Sequence, residues 1–186
     1  MLRYSSGASI IRSTSTFPPP AYIGDLKNAP VVLREANGGY DPVVTPSEFR
    51  EPGAIERYVD MLHHPRAIDP RRVAPYYGRR NYAPLIERGV LVLVNAVAYR
   101  STKIGSEPAN RAVAERLPST AVHRNWMRNE LLPQARLGER LVIAHRNGLW
   151  NLKRHEVGLP NVHFSTNSIS PDVSREALRV IADFAR

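Results

Sequence analysis

Four short apolar runs, each followed by a polar or glycine-rich break, constrain the fold of this chain more than any other feature. The runs are rich in β-branched residues and show no alternation of apolar and polar positions, which is typical of strands buried on both faces of a parallel sheet. They are Val31-Val32-Leu33, Val90 to Val94, Leu141-Val142-Ile143-Ala144 and Val162-His163-Phe164. The sequence therefore predicts a central, mainly parallel sheet of four strands.

Helical patterns lie between and after these runs. Ser174 is a suitable cap for a final helix in which Ala177, Ile181 and Phe184 recur at helical spacing. Three further helices are predicted: one with an apolar stripe of Ile55, Val59 and Leu62, one over 112–117, and one that is capped by Ser119 or Thr120 and carries Val122, Trp126 and Glu130. The alternation of strands and helices predicts a three-layer α/β/α sandwich.

The length of 186 residues fits one domain with a sizeable core. We assign residues 17–186 to that domain, because no repeat or low-complexity linker marks a second one. Residues 1–16 are expected to form a flexible basic arm. A transit peptide is the alternative, but the segment carries only two arginines, Arg3 and Arg12.

The charge and cysteine content narrow the function. The chain has 26 Lys+Arg against 17 Asp+Glu, a net charge of +9, and its only lysines are Lys27, Lys103 and Lys153. Because the planar arginine fork matches phosphate oxygens, this balance favours nucleic acid as the partner, although a GC-rich genome also enriches arginine. The lack of cysteine excludes disulfides and thiolate metal sites. No apolar stretch could span a bilayer, so we expect a cytoplasmic monomer with no membrane partner.

Polar residues follow the ends of all four predicted strands. Asn37 follows the first strand, Asn95 ends the second, His145-Arg146-Asn147 follow the third, and Asn167 follows the fourth. In open parallel sheets, ligands bind beyond the carboxyl ends of the strands. A single loop asparagine is more often structural, because Asn tolerates positive φ and caps helices. The coincidence at several strand ends predicts a binding site at this edge.

Three segments at or just past these strand ends form an ordered set of candidate motifs: Asn37-Gly38-Gly39-Tyr40, Leu93-Val94-Asn95 and Asn167-Ser168-Ile169-Ser170-Pro171. Together they resemble the motifs of the uracil-DNA glycosylase superfamily. These are an Asp or Asn followed by Pro and Gly or Tyr, a strand ending in an Asn that reads the flipped pyrimidine, and a loop with a wedge residue. The resemblance covers residues 18–186 and implies the uracil-DNA glycosylase fold and a DNA glycosylase activity.

Cleavage of an N-glycosidic bond needs a held water and groups that stabilise the departing base. Asn37 is expected to orient the water, with Asp41 or Glu35 as an electrostatic or basic helper. Asn95 is expected to read the base, since its amide offers both a donor and an acceptor. Tyr40 either stacks on the base or packs on the sheet edge.

The sequence departs from the family motifs at two places. Gly38, followed by Gly39, stands where the family has Pro, which predicts a looser or larger pocket. Asn167 stands where the family has a His that stabilises the departing base. Both departures favour a bulky modified cytosine of phage DNA over uracil as the substrate. DNA repair and phage defence therefore both stay open as roles.

A base within a duplex must be flipped out before it can enter such a pocket. Ile169 is the expected wedge that fills the gap, or else it anchors its loop on the core. Phosphate contacts are expected from Ser168, Ser170, Arg146, Arg100, Ser101, Arg71 and Arg72. Arg71-Arg72 and Arg79-Arg80 also flank Pro75-Tyr76-Tyr77. Such a pattern could track a single strand, although charge runs are usually solvated surface.

The sequence thus predicts a monofunctional DNA glycosylase that uses no metal or cofactor. No lysine lies in a motif loop, which argues against a Schiff-base lyase step. Histidine spacing typical of a metal site, a phosphate-binding P-loop and a serine-hydrolase elbow are all missing from the sequence. The alternatives are a non-catalytic binder of single-stranded or modified DNA, and a hydrolase that acts on RNA or nucleotides.

Overall fold

The computed structural model describes residues 17–101, 104, 107–151, 158–166 and 170–186. In this part of the chain, one mixed sheet contains β1 (Tyr22–Ile23), β2 (Val31–Asn37), β3 (Leu91–Val97), β4 (Leu141–Ala144) and β5 (Val162–Phe164). The strand order is β1-β3-β2-β4-β5. Strand β1 pairs with β3 in the antiparallel sense, and the other three pairings are parallel. The arm predicted over 1–16 lies outside the described residues.

All four predicted strands are present, and the α/β class is confirmed. The prediction of four strands is wrong, because β1 adds a fifth at the edge of the sheet. Strand β1 contains only Tyr22 and Ile23, which is too short a run to be recognised in the sequence. Strand β2 lies at the centre, where Val31 is paired with Leu91 on one side and with Leu141 on the other.

Helices connect the strands and follow the last one. They are α1 (Val44–Glu48), α2 (Ala54–His63), α3 (Pro70–Val73), α4 (Pro75–Gly78), α5 (Ala83–Glu87), α6 (Pro108–Arg116), α7 (Pro118–Trp126), a π-helical turn (Met127–Leu131), α8 (Leu132–Leu137) and α9 (Arg175–Phe184). Across the described ranges, none of these helices has both the length and the apolar character needed to cross a membrane.

The helices cover both faces of the sheet. Leu33 and Leu93 belong to a core that also contains residues of α2, α4, α5 and α9. Val32 and Val92 face a second core, which contains residues of α6, the π-helical turn and α8 together with Trp150. Because successive strand residues point to opposite faces, burial on both sides requires an apolar residue at nearly every strand position. This burial explains the continuous apolar runs of the sequence.

Two details of the predicted helices differ in the structure. The buried face of α2 carries Ala54, Tyr58 and Met61, whereas Ile55 is 39% exposed. The cap predicted at Ser119 or Thr120 is wrong, because helix α7 already starts at Pro118 and its N-cap residue, Leu117, forms no side-chain cap. The Thr120 hydroxyl donates instead to the carbonyl of Ala114 at 2.7 Å. The cap predicted at the start of α9 is confirmed, since Ser174 Oγ accepts from the backbone of Ala177.

Candidate functional site

The carboxyl ends of the parallel strands bring together the polar residues that the sequence analysis selected. Strand β2 ends with Glu35 and Asn37, and the register places Glu35 opposite Asn95 of β3. Strand β4 runs directly into His145 and Arg146. All five side chains therefore belong to one edge of the sheet, which is the position expected for a ligand site in this architecture.

Asn37 is half-buried and its amide has a fixed orientation. Its Nδ2 donates to the carbonyl of Ser101 at 3.2 Å and to the Ser101 hydroxyl at 3.0 Å. The residue lines a cavity of about 10 Å³, roughly the space that one water occupies. The other lining residues are Glu35, Tyr76, Tyr77, Tyr82, Arg146 and Pro171. The cavity thus combines an oriented amide, a carboxyl group and a cation around room for a water.

Glu35 is the buried carboxyl of this cavity, with 5% of its surface exposed. Burial raises its pKa to about 7, even though nearby Arg146 favours the ionised form. Arg146 Nε lies 3.5 Å from one carboxylate oxygen, and His145 Nε2 lies 3.7 Å from the other. A carboxyl group that titrates near neutral pH can take or release a proton under ordinary conditions.

His145 lies next to the cavity residues Glu35 and Pro171 and connects the segments that carry them. It is almost fully buried, and its Nε2 donates to the carbonyl of Ser170 at 2.8 Å. Burial lowers its pKa, so the ring is neutral at pH 7. This hydrogen bond ties the end of β4 to the segment before Pro171, which lines the cavity.

Asp41 was the other candidate for the carboxyl helper, and its environment is different. It is exposed, and one of its oxygens accepts from the backbone amides of Val43 and Val44, both at 2.8 Å. These bonds lower its pKa, that of Val44 contributing most. They also start the turn into α1. Of the two carboxyl groups left open by the sequence, Glu35 therefore has the better environment for proton transfer.

Asn95 is fully buried within β3, two residues before the strand ends at Val97, so it does not end the strand as the sequence predicted. Its Nδ2 donates to the carbonyl of Pro20 at 2.5 Å and to the Tyr77 hydroxyl at 3.3 Å. Its Oδ1 is buried and has no hydrogen-bond partner among the described residues. Because an unpaired buried oxygen is costly, this atom is a candidate acceptor for a ligand. Tyr40 is half-buried in the loop after β2.

The two glycines after Asn37 have different surroundings. A Cβ on Gly38 would lie within 2.5 Å of Pro20 Cβ and 3.1 Å from the Tyr77 hydroxyl oxygen. Pro20 fills the space that the sequence analysis assigned to a larger base, so Gly38 does not enlarge the pocket. Gly39 has a φ of +62° and no atom within 4 Å of its would-be Cβ, which indicates that it serves the turn.

We expect Gly38→Ala to destabilise the fold by about 1–3 kcal/mol, because the added methyl group overlaps Pro20 in a packed region. Urea unfolding of the variant and the wild-type protein measures the difference. Gly148→Ala is the matched control, since a Cβ there meets only Arg111, at ordinary contact distance. Equal stability of Gly38→Ala and the wild-type protein would contradict the close packing at this position.

The residues expected to contact DNA do not share one surface. Arg100 is 3% exposed; its guanidinium lies over the rings of Phe49 and Tyr58, and its Nη2 is 3.7 Å from Glu48 Oε2. This burial corrects the expectation that Arg100 meets phosphate. Ser101 is also buried and holds Asn37 instead. Arg71 and Arg72 are exposed, and Arg146 and Ser170 are half-exposed. Asn167, Ser168 and Ile169 lie outside the described residues.

Arg71 and Arg72 line a cleft of about 570 Å³ between α1, α2, α3 and α4. We call it the arginine cleft, and it is lined by Val44, Ser47, Glu48, Glu51, Ala54, Arg57, Arg71, Arg72, Pro75, Tyr76, Arg79 and Arg80. Its five arginines face only two glutamates, so the cleft is electropositive. The sequence analysis found the two arginine pairs but missed Arg57, which belongs to α2 and is distant in sequence.

In the described ranges, no group of three or more His, Asp or Glu side chains is arranged to hold a metal ion. Comparisons with known proteins add no assignment. No family model matches the chain, and neither a curated protein nor a solved structure matches it.

Proposed function

We propose that this protein is a monofunctional DNA glycosylase with the uracil-DNA glycosylase fold, which hydrolyses the N-glycosidic bond of a flipped pyrimidine and leaves an abasic site. One observation carries the proposal: Asn37, oriented by Ser101, shares a water-sized cavity with Glu35 at the carboxyl edge of the sheet. We further propose that it acts as a monomer on DNA in the cytoplasm, without a metal or cofactor.

In the proposed reaction, the oxygen of a water bonds to C1′ of the deoxyribose while the bond from C1′ to the base nitrogen breaks, and the bonding electrons leave with the base. Asn37 orients the water through Oδ1, because its Nδ2 is engaged by Ser101. The Glu35 carboxylate takes the proton of the water, and its pKa of about 7 suits this role. The positive charge of Arg146 stabilises the negative charge that develops on the departing base.

Asn95 is the proposed reader of the base. Its buried Oδ1, which has no partner in the part of the chain that is described, would accept from a pyrimidine nitrogen that carries hydrogen. Tyr77 lies between this amide and the cavity, since its hydroxyl contacts Asn95 and its side chain lines the cavity. Entry of a base therefore requires Tyr77 to move. The proposed roles of Asn167 at the departing base and of Ile169 as the wedge stay predictions.

The identity of the base stays open between uracil and a bulky modified cytosine. The contact of Gly38 with Pro20 removes the reason for a larger pocket at that residue. With Asn167 in place of the motif histidine, uracil would lose charge stabilisation on its oxygen, whereas the extra polar groups of a larger base could be held by Arg146, His145 or Asn167. Repair and phage defence are the two corresponding roles.

The experiment that tests this function is an assay for abasic sites. Labelled oligonucleotides with uracil, and phage DNA with glucosylated cytosine, are incubated with the protein, treated with alkali and separated on denaturing gels. Released bases are identified by mass spectrometry. We expect time-dependent strand breaks at the target base and release of that free base. Intact strands at stoichiometric protein, with binding demonstrated, would reject the enzymatic function.

A non-catalytic binder of single-stranded or modified DNA is the second candidate function. It is favoured by the arginine cleft, which needs no catalytic residue to bind phosphate. The same assay separates the two candidates, because a binder retards the DNA on a native gel and creates no abasic sites.

A further inference from the structure

The arginine cleft is a concave site with a preference for anions. Its volume of about 570 Å³ is within the range of ligand pockets, and it is lined by five arginines and two glutamates. A duplex is a rod too wide to enter a recess of this size, whereas a flexible single strand can lie in it. The shape of the cleft therefore favours unpaired nucleotides over duplex.

The arginines of the cleft are available to a ligand. Arg71 Nη1 is 3.9 Å from Glu87, and Arg57 Nη2 is 3.8 Å from Glu51; both pairs are long and substantially exposed, so water competes for them. Among the residues described, Arg72 and Arg79 have no carboxylate oxygen within 4 Å, and Arg79 acts on Glu48 only from a longer distance. Each guanidinium thus keeps donors that could bind phosphate oxygens.

Tyr76 gives the cleft an aromatic surface. The Arg80 guanidinium lies 4.2 Å from the centre of the Tyr76 ring, and Arg80 Nε is buried without a hydrogen-bond partner in the described chain. Flat aromatic rings and guanidinium groups both stack on bases, and stacking tolerates any sequence. The pair therefore provides a platform for a base beside donors for its phosphate.

Tyr76 also connects the cleft with the catalytic cavity. It lines the arginine cleft and, at the same time, the cavity that contains Asn37 and Glu35. A strand that lies in the cleft consequently passes within one side chain of the proposed catalytic residues. Phosphates bound in the cleft would hold a neighbouring nucleotide at the entrance of the cavity.

We propose that the substrate is single-stranded DNA, whose phosphodiester groups bind the arginine cleft while a base stacks at Tyr76 and the next nucleotide enters the cavity. This inference rests on the proposed function for the final step only. Binding of the strand in the cleft requires none of the catalytic residues.

The test compares binding of a fluorescent 12-nucleotide single strand with binding of the same sequence as a duplex, over a range of salt concentrations. The cleft variant is Arg79→Gln with Arg80→Gln. The matched control is Arg175→Gln with Arg179→Gln, which removes the same charge from exposed positions of α9 that do not line the cleft. Thermal shifts with inorganic pyrophosphate test whether a free anion occupies the cleft instead.

We expect the wild-type protein to prefer the single strand at least about tenfold. The cleft variant should lose about tenfold or more in affinity, and its slope of log affinity against log salt should be shallower by about 1.4, since each phosphate contact contributes about 0.7. The control variant should lose clearly less affinity. Tyr76→Ala should weaken single-strand binding without changing the salt slope, because stacking releases no counterions.

Three results would overturn the inference: equal binding of duplex and single strand, equal losses in the cleft and control variants, or stabilisation by pyrophosphate without binding of the oligonucleotide. Loss of cleft binding and loss of base release are separate outcomes. If the cleft binds a single strand but no base is released from any DNA, the glycosylase function and the final step fail, and the binding of a single strand in the cleft stands. If the cleft variant releases uracil or modified cytosine at the same rate as the wild-type protein, the inference fails and the function stands.

Discussion

An Asn37→Ala variant is expected to bind DNA like the wild-type protein and to release the base more slowly by a factor of about a hundred or more. The substitution removes the group that orients the attacking water, and loss of one such group costs roughly 2–4 kcal/mol of transition-state stabilisation. The fold should tolerate it, because Asn37 is half-buried and its bonds to Ser101 lie at the end of a strand. Single-turnover rates of base release from one DNA substrate, compared between the variant and the wild-type protein, measure the effect.

Two further variants make this expectation specific. Ser101→Ala keeps Asn37 but removes one of the two acceptors of its Nδ2, so we expect a smaller loss, about tenfold, with unchanged DNA binding. Asn129→Ala alters an exposed asparagine far along the chain and should leave the rate unchanged. An Asn37→Ala protein that cleaves at the wild-type rate would exclude the water-orienting role. One that unfolds at a clearly lower temperature would identify Asn37 as a structural residue.

The sheet was largely predictable from the sequence, because burial on both faces demands continuous apolar residues. Val92 and Leu93 point into different cores, yet both must be apolar, and the run therefore indicates its own environment. The same logic fails for β1, where two residues contact the edge of β3 and local sequence carries little information. The exposed Ile55 shows a further limit. Helical spacing gave the correct period for α2, but the buried face is shifted by one residue from the predicted one.

The candidate site was predictable in position but not in chemistry. The rule that ligands bind at the carboxyl ends of parallel strands located Asn37 and Asn95. The properties of Glu35 depend on residues of α4, on Tyr82 just before α5 and on the segment after β4, which approach it only in the folded chain. Arg100 shows the converse, because a cation that looks like a phosphate ligand in sequence is buried against Glu48. Such contacts between distant segments cannot be read from local patterns.

The second large effect concerns Glu35 and the dependence of stability on pH. Burial raises the pKa of Glu35 from 4.5 to about 7, so the folded protein holds a proton that the unfolded chain releases. Below pH 4.5 both states are protonated and the group contributes nothing. Between pH 4.5 and 7 the free energy of unfolding falls as pH rises, by about 3 kcal/mol in total, and above pH 7 the loss is complete.

Glu35→Gln should abolish this loss, because Gln resembles the protonated carboxyl and cannot ionise. The variant and the wild-type protein should differ little at pH 4, whereas at pH 8 the variant should be more stable by about 3 kcal/mol. Burial lowers the pKa of His145 and destabilises the fold on acidification, but this effect occurs in both proteins and largely cancels in their difference. Glu176→Gln on the exposed face of α9 controls for the change in net charge. Urea unfolding at several pH values measures each free energy, and a difference that stays constant with pH would contradict the raised pKa.

In the same Glu35→Gln variant, base release should be lost at every pH, while the wild-type rate should rise with pH up to about 7 as the carboxylate forms. Together, greater stability and lost activity would identify Glu35 as a carboxyl group kept in the cavity for its chemistry, at a cost to the fold.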